Sequence, residues 1–331
     1  FSSIRGYDEL YVNASQLFQK SLRSGGRMSR LMANILMCFT ALFWGATFIA
    51  QKTGMETIGP MGFTFGRYLI GALVLLPLAI HEARKINLMQ AMRHDKPLCI
   101  GALGLGVFMF GGIGLQQTAL LYTNVANAAF LTAFYVPLAP LIAALLLRRH
   151  ISLNIWPAVF ISLFGSYLLS GTSSLNAKFG DLLIIVGAFF WAGHILLIHS
   201  VMSKINAPFQ FSTLQSFVTA IIASLIMVPF ESPAPADFLP MLPQIAFAGI
   251  VAVGLGFTLQ LVAQRHTSAA SAALILSLES VFAAFFGWWF LGETLAFIAI
   301  IGCCLIFLSV VLAEIVAERH IKKVINFFYK T

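Results

Sequence analysis

The sequence predicts an all-α polytopic membrane protein of ten transmembrane helices, arranged as two inverted five-helix repeats. The first ground is length and polarity. About ten apolar segments each approach the ~20 residues that an α-helix needs to cross a bilayer. The second is composition. Of 331 residues, 59% are hydrophobic and 10% are charged, and the mean hydropathy is +0.90, whereas soluble domains carry about 25% charged residues. The third is the placement of the basic residues, taken up next.

The spans read as 31–51, 61–81, 98–121, 125–147, 153–170, 181–200, 208–229, 242–264, 268–291 and 294–314. With the N-terminus inside, 17 of the 20 Lys and Arg fall in inside segments; Lys52 and Lys178 fall outside, and Arg67 lies within the second span. The positive-inside rule then puts both ends in the cytoplasm and favours an even span count. The same split accounts for a net charge of +8 and argues against nucleic acid as a partner. Residues 1–30 form a polar tail with no signal-peptide core, and 1–27, upstream of Met28, read as an extension. Residues 31–170 are the first repeat, 171–180 a linker and 181–314 the second repeat. The basic tail 315–331 reads either as an amphipathic helix on the inner leaflet or as a solvated end. Cys38, Cys99, Cys303 and Cys304 fall in or beside spans without a Cys-x-x-Cys pattern, and read as packing residues.

The repeat is visible in register. Gln116 to Ala129 reads QQTALLYTNVANAA, and 144 residues later Gln260 to Ala273 reads QLVAQRHTSAASAA. Gln116/Gln260, Ala119/Ala263, Thr123/Thr267, Ala126/Ala270, Ala128/Ala272 and Ala129/Ala273 are identical. Upstream, ALFWG at 41–45 resembles AFFWA at 188–192. Five spans per half is odd, so the second half enters the membrane upside down. Inverted repeats of this kind place a substrate site near the midplane between halves.

The run LESVFAA at 278–284, followed by GWWFLGETL at 287–295, is similar to a pattern of the drug/metabolite transporter superfamily, EamA type. LFWGATFIA in the first span and FGRYLI in the second also resemble that family. Two departures stand out: Ser280 where proline is usual, and Arg148-Arg149-His150 where Gly-Glu is often seen. The resemblance covers roughly 31–314. It implies ten helices in two repeats and secondary active transport, read as export, of a small organic metabolite or drug-like solute by alternating access. A passive facilitator, exchanger or channel is the alternative, and an intramembrane enzyme the more distant one. No metalloprotease, nucleophile-elbow or P-loop motif appears. A small-molecule substrate and the bilayer are the expected partners, with no cofactor and no metal, in a monomer or homodimer of the cytoplasmic (inner) membrane.

Polar groups at membrane depth are costly, about 2.5–3.5 kcal/mol for a central charge, and are expected to face a cavity. Thr40, Trp44, Thr47 and Gln51 form one stripe of the first span. They read as a cavity wall with an aromatic platform, or as threonines bonding between helices. Gln116 and Gln117 close the third span, and Asn124 and Asn127 open the fourth, where helix capping is the alternative. Tyr135 lies below Asn124, above a bend expected at Pro137 and Pro140. Trp191 and His194 share a face of the sixth span. With His199 set apart, no zinc site follows. Gln260 and Gln264 lie one turn apart in the eighth span. Arg67 is expected either to snorkel outward or to meet a substrate carboxylate. Glu279, near the middle of the ninth span, is the strongest candidate. It reads as a protonatable group that couples transport to protons or holds a cationic substrate, or as a hydrogen bond that locks two helices.

Overall fold

The computed structural model describes residues 28–123, 125–145, 148, 153–170, 179–292 and 294–328. Among them there are helices and no strands. Nine helical segments are long and apolar enough to cross a membrane. They are α1 (Arg30–Thr53), α2 (Gly59–Ala83), α4 (Lys96–Ala119), the pair α5 (Val125–Thr132) and α6 (Tyr135–Leu145), α8 (Phe179–Lys204), α9 (Pro208–Phe230), the run from α10 (Leu242–Phe247) to α11 (Phe257–Gln264), the pair α12 (Ala269–Leu276) and α13 (Leu278–Leu291), and α14 (Phe297–Phe328). A tenth apolar helix, α7 (Trp156–Leu169), is shorter. It takes the fifth place among these apolar helices, which are numbered spans one to ten in chain order. The short α3 (Leu88–His94) buries Leu88 and Met92 beside span three.

Local chemistry sets the helix starts. Ser29, Asp95 and Ser268 cap spans one, three and nine by accepting from the backbone N–H groups of Met32, Leu98 and Ser271. Pro60, Pro97, Pro157, Pro208 and Pro243 stand in first turns, where the missing N–H costs nothing. The last helix runs unbroken to Phe328, so its end continues span ten instead of forming a separate surface helix. Residues 1–27, Asn124 and most of the 171–180 linker lie outside the described residues.

The packing obeys an exchange rule. Replacing each span n by n + 5 maps the contacting pairs onto one another: two with seven and five with ten onto themselves, one with eight onto six with three, and one with nine onto six with four. Two of these crossings depend on glycine. A Cβ on Gly45 would stand 2.5 Å from Phe282 Cβ and 2.8 Å from Glu279 O, so spans one and nine meet backbone to side chain at that point. Gly165 and Gly302 meet reciprocally where spans five and ten cross.

Spans two and seven are clasped at both ends. The Glu231 carboxylate, at the end of span seven, accepts from Met61 N at 2.8 Å and Gly62 N at 2.7 Å, at the start of span two. At the other end of the pair, Glu82 Oε2 accepts from Gln210 N at 3.0 Å. Each carboxylate satisfies N–H groups that the first turn of a helix leaves open, at the positive end of its dipole.

The expected bend in span four lies earlier than the prolines themselves. The helix breaks at Ala133–Phe134. Pro137 has no N–H to give to Ala133 and its ring presses on that carbonyl, which instead accepts from Val136 N at 3.0 Å. Pro140 stands inside α6 without breaking it. Span nine breaks at Ser277, offset by 144 from Ala133, with no proline present. There Ser280 N donates to Ser277 O at 3.2 Å, a tightened turn. Span eight departs further from the expected regular helix, because Ala248–Gly256 is wound as a π-helix.

Candidate functional site

The two broken spans and the π-wound segment surround a cavity between the halves. Its wall is mostly made of repeat mates. Trp44 and Trp191, Phe48 and Ile195, Ile113 and Phe257, Gln116 and Gln260, Thr132 and Leu276, and Tyr135 and Glu279 all line it. The first two pairs are offset by 147 residues and the other four by 144. The pseudo-two-fold axis therefore passes through the cavity, and Tyr135 stands opposite Glu279.

The indoles are pinned by their N–H groups. Trp44 Nε1 donates to Ala252 O at 3.3 Å, a carbonyl of the π segment, and Trp191 Nε1 donates to Gln116 Oε1 at 3.2 Å. Ala252 O also accepts from the backbone N–H of Phe257, so the indole is a second donor to that carbonyl. The ring centroids of Trp44 and Phe257 lie 4.7 Å apart, and Trp191 stacks on Phe257 at 6.1 Å. The result is an aromatic wall of fixed orientation.

Polar groups converge on the remaining surface. Glu279 is 6% exposed and has no ion-pair partner among the described residues. The Tyr135 hydroxyl faces its carboxyl but does not reach strict hydrogen-bond geometry. Gln51 Oε1 and Gln260 Oε1 are acceptors without donors. Arg67 also lines the cavity. The outward snorkelling expected of it does not occur, since it is 2% exposed, lying 5.3 Å from the ring centroids of Phe63 and Tyr68.

Other polar residues singled out from the sequence stand behind the wall or at its ends. Thr47 lines the cavity while donating to Phe43 O at 2.6 Å. Thr40 donates to Gly256 O at 3.2 Å, joining spans one and eight. Gln117 Nε2 donates to Gln51 O at 2.9 Å. His194 Nε2 lies 3.1 Å from Gln215 Oε1, buried behind Trp191 and Phe257. Gln264 accepts from Gln260 at 3.3 Å and donates to Ile195 O. Asn127 donates to Asp181 Oδ1 at 2.6 Å, away from the cavity. Wall residues not foreseen are Phe48, Tyr68, Ile113, Thr132, Ile195, Ala252, Val253, Phe257 and Leu276. The 144-residue offset, carried from Gln116 and Gln260 along the helices, would have found Ile113 with Phe257 and Thr132 with Leu276.

The cavity is small, and helices are linked near both faces of the bundle. It has a free volume of about 40 Å³, room for a few water molecules and far below the ~300–1,000 Å³ of typical ligand sites. On the face holding the start of span two, Lys52 Nζ donates to Leu120 O at 2.7 Å and Thr57 to Asp237 O at 2.8 Å. On the opposite face, Arg30 pairs with Glu314 at 3.0 Å and Lys204 with Asp95 at 2.8 Å. The Lys204 ammonium and the Leu98 N–H hold the Asp95 carboxyl below the usual carboxylate range.

Fold and cavity together define a polytopic membrane protein whose two pseudo-symmetric halves meet at a small central cavity. The chain belongs to the EamA-like transporter family, whose model matches it twice, at residues 31–171 and 178–314. It is 31% identical over 295 residues to an uncharacterized transporter of Archaeoglobus fulgidus, covering 87% of each chain. It is 24% identical to the uncharacterized transporter YoaV of Bacillus subtilis, covering 85% of this chain and 97% of that one. A solved crystal structure shares the fold with a TM-score of 0.71 at 18% identity, over 88% of this chain and 99% of the other.

Proposed function

We propose that the protein is a secondary active transporter that exports a small organic solute across the cytoplasmic membrane by alternating access, with Glu279 as the proton-carrying coupling group. The observation that carries this reading is the cavity between corresponding positions of the two halves, holding a carboxyl group with no ion-pair partner among the described residues. An unpaired carboxylate at membrane depth is costly. A group that takes up a proton when the site is shut and gives it up when the site opens avoids that cost in the shut state. The excess of basic residues on the face bearing Arg30 supports a cytoplasmic placement of that face. The contacts between helices near the two faces are hydrogen bonds and single ion pairs, the kind of weak links that can alternate.

The test is flux in proteoliposomes under an imposed pH gradient, with solutes first selected by thermal shift. Saturable flux, counterflow and uphill movement driven by the gradient are expected in the wild type. Glu279→Gln keeps the shape of the protonated acid but cannot ionise. It should lose uphill transport at least tenfold and flatten the pH profile while retaining exchange. Wild-type pH dependence in that variant would leave Glu279 as a lock between helices. Flux without saturation or counterflow would make the protein a channel.

A further inference from the structure

Arg67 poses a problem that the fold does not solve. It lies eight residues into span two, 2% exposed, in a helix that crosses span eight at this level. A Cβ on Gly249 would stand 2.7 Å from Arg67 O, so the neighbouring span presses on its backbone and fixes its height. Yet Nε and Nη2 have no hydrogen-bond partner. No acid stands within ion-pairing reach of the guanidinium among the described residues, although Glu279 lines the same cavity. The faces of Phe63 and Tyr68 steady the cation but cannot take its in-plane N–H donors.

Building on the transport reading, we propose that Arg67 is the anchor for the carboxylate of the substrate, which is a small monocarboxylate with an apolar or aromatic body. A guanidinium presents parallel N–H donors whose spacing matches the two oxygens of a carboxylate, and those donors are the ones left open. The wall supplies no second cation, so a doubly charged phosphate ester would keep an uncompensated charge in a low-dielectric site. The open acceptors Gln51 Oε1 and Gln260 Oε1 repel a second carboxylate and favour a donor at the far end of the molecule. Trp44, Trp191 and Phe257 provide the surface for the body.

The experiment uses matched pairs that differ only in charge: 3-phenylpropionate with 3-phenylpropionamide, and 4-methylpentanoate with its amide, with phenethylamine as a cation. Thermal shift on the purified full-length protein and counterflow in proteoliposomes are both measured. In the wild type an acid should stabilise the protein and its amide should not. Arg67→Lys, which keeps the charge and loses the fork, should weaken acid binding at least tenfold. Arg67→Gln should abolish the preference for acid over amide without lowering the ligand-free Tm, because the loss of the ring contacts to Phe63 and Tyr68 is offset by relief of a buried charge with no ion-pair partner among the described residues. Three results overturn the assignment: no acid binding better than its amide, an undiminished preference in Arg67→Gln, or unchanged acid affinity in Arg67→Lys should Arg67→Gln fail to fold. The two readings fail separately. Acids bound through Arg67 without any flux would remove the transport function and keep the anchor. Flux of the amides or phenethylamine without acid preference would remove the anchor and keep the transport.

Discussion

Trp44 and Trp191 hold corresponding places in the two halves, each pinned by its indole N–H and each resting on Phe257. Tyr135 and Glu279 also correspond, yet one is a neutral phenol and the other an acid. The same contrast recurs in spans two and seven. Their first-turn prolines, Pro60 and Pro208, are offset by 148, and that offset pairs Arg67 with Gln215. Gln215 is neutral and bonds to His194 within its own half at 3.1 Å. Arg67 is charged, and its Nε and Nη2 bond to nothing. The Trp44/Trp191 and Gln116/Gln260 pairs thus keep part of the wall alike in both halves. The charges sit on one member of each pair, where the local partner is missing.

Comparing mates tests this division, and the largest effect belongs to the crossing that supports Glu279. Gly45→Leu drives a side chain into Phe282 and Glu279 O. It should abolish transport and lower stability by about 1–3 kcal/mol or more, read as a Tm in detergent. Its mate Ala192 already carries a Cβ and is fully buried, so Ala192→Gly should cost only about 1 kcal/mol. Equal losses would show that the two crossings are equally tight.

Arg67→Leu and Gln215→Leu should move stability in opposite directions. Removing Gln215 leaves His194 Nε2–H buried without an acceptor, a cost of about 1–3 kcal/mol. Removing Arg67 relieves a buried charge without a partner, so the ligand-free Tm should hold or rise. A fall in both variants would make Arg67 a structural residue.

Trp44→Phe and Trp191→Phe each lose one indole hydrogen bond, about 0.5–1.5 kcal/mol, and should impair transport to a similar extent in the same flux assay. A tenfold difference between them would break the equivalence of the two walls. The smallest effect belongs to the Asp95–Lys204 pair at the surface. The folded carboxyl is held low, so its contribution is complete at neutral pH. It is lost as the pH falls below the ordinary aspartate value of about 3.9 toward the lower folded one. Asp95→Asn, which can still cap the helix, should change the Tm at pH 7 by an amount near the detection limit, and by nothing in acid.

Much of this architecture can be read from residues alone, because depth and repetition leave marks in a sequence. Span positions follow from hydropathy, and the Gln116/Gln260 register identifies mates. Trp44, Trp191 and Glu279 stand out because large rings and charges are conspicuous in apolar helices. Facing is harder to read. In a helix that is apolar all round, lipid and protein core demand the same side chains, so Phe257 and Ile113 carry no periodic signal. Arg67 is conspicuous as a charge within the second span, but whether a long side chain turns out or in depends on neighbours such as Phe63 and Gly249. The π segment in span eight was also hidden. Gly249, Gly254 and Gly256 mark a weak helix there, but the winding answers to Trp44 and Thr40 on another span.

The paired carboxylates of Glu82 and Glu231 bear on how motion in this molecule should be measured. With each end of spans two and seven bonded to the other helix, the pair is expected to move as one body. Nitroxide labels placed one on each of these two helices should report a single distance distribution under every condition. That pair supplies a reference frame against which labels on spans one and six can be read. A broadened distance between spans two and seven would mean that a carboxylate had let go of its helix start.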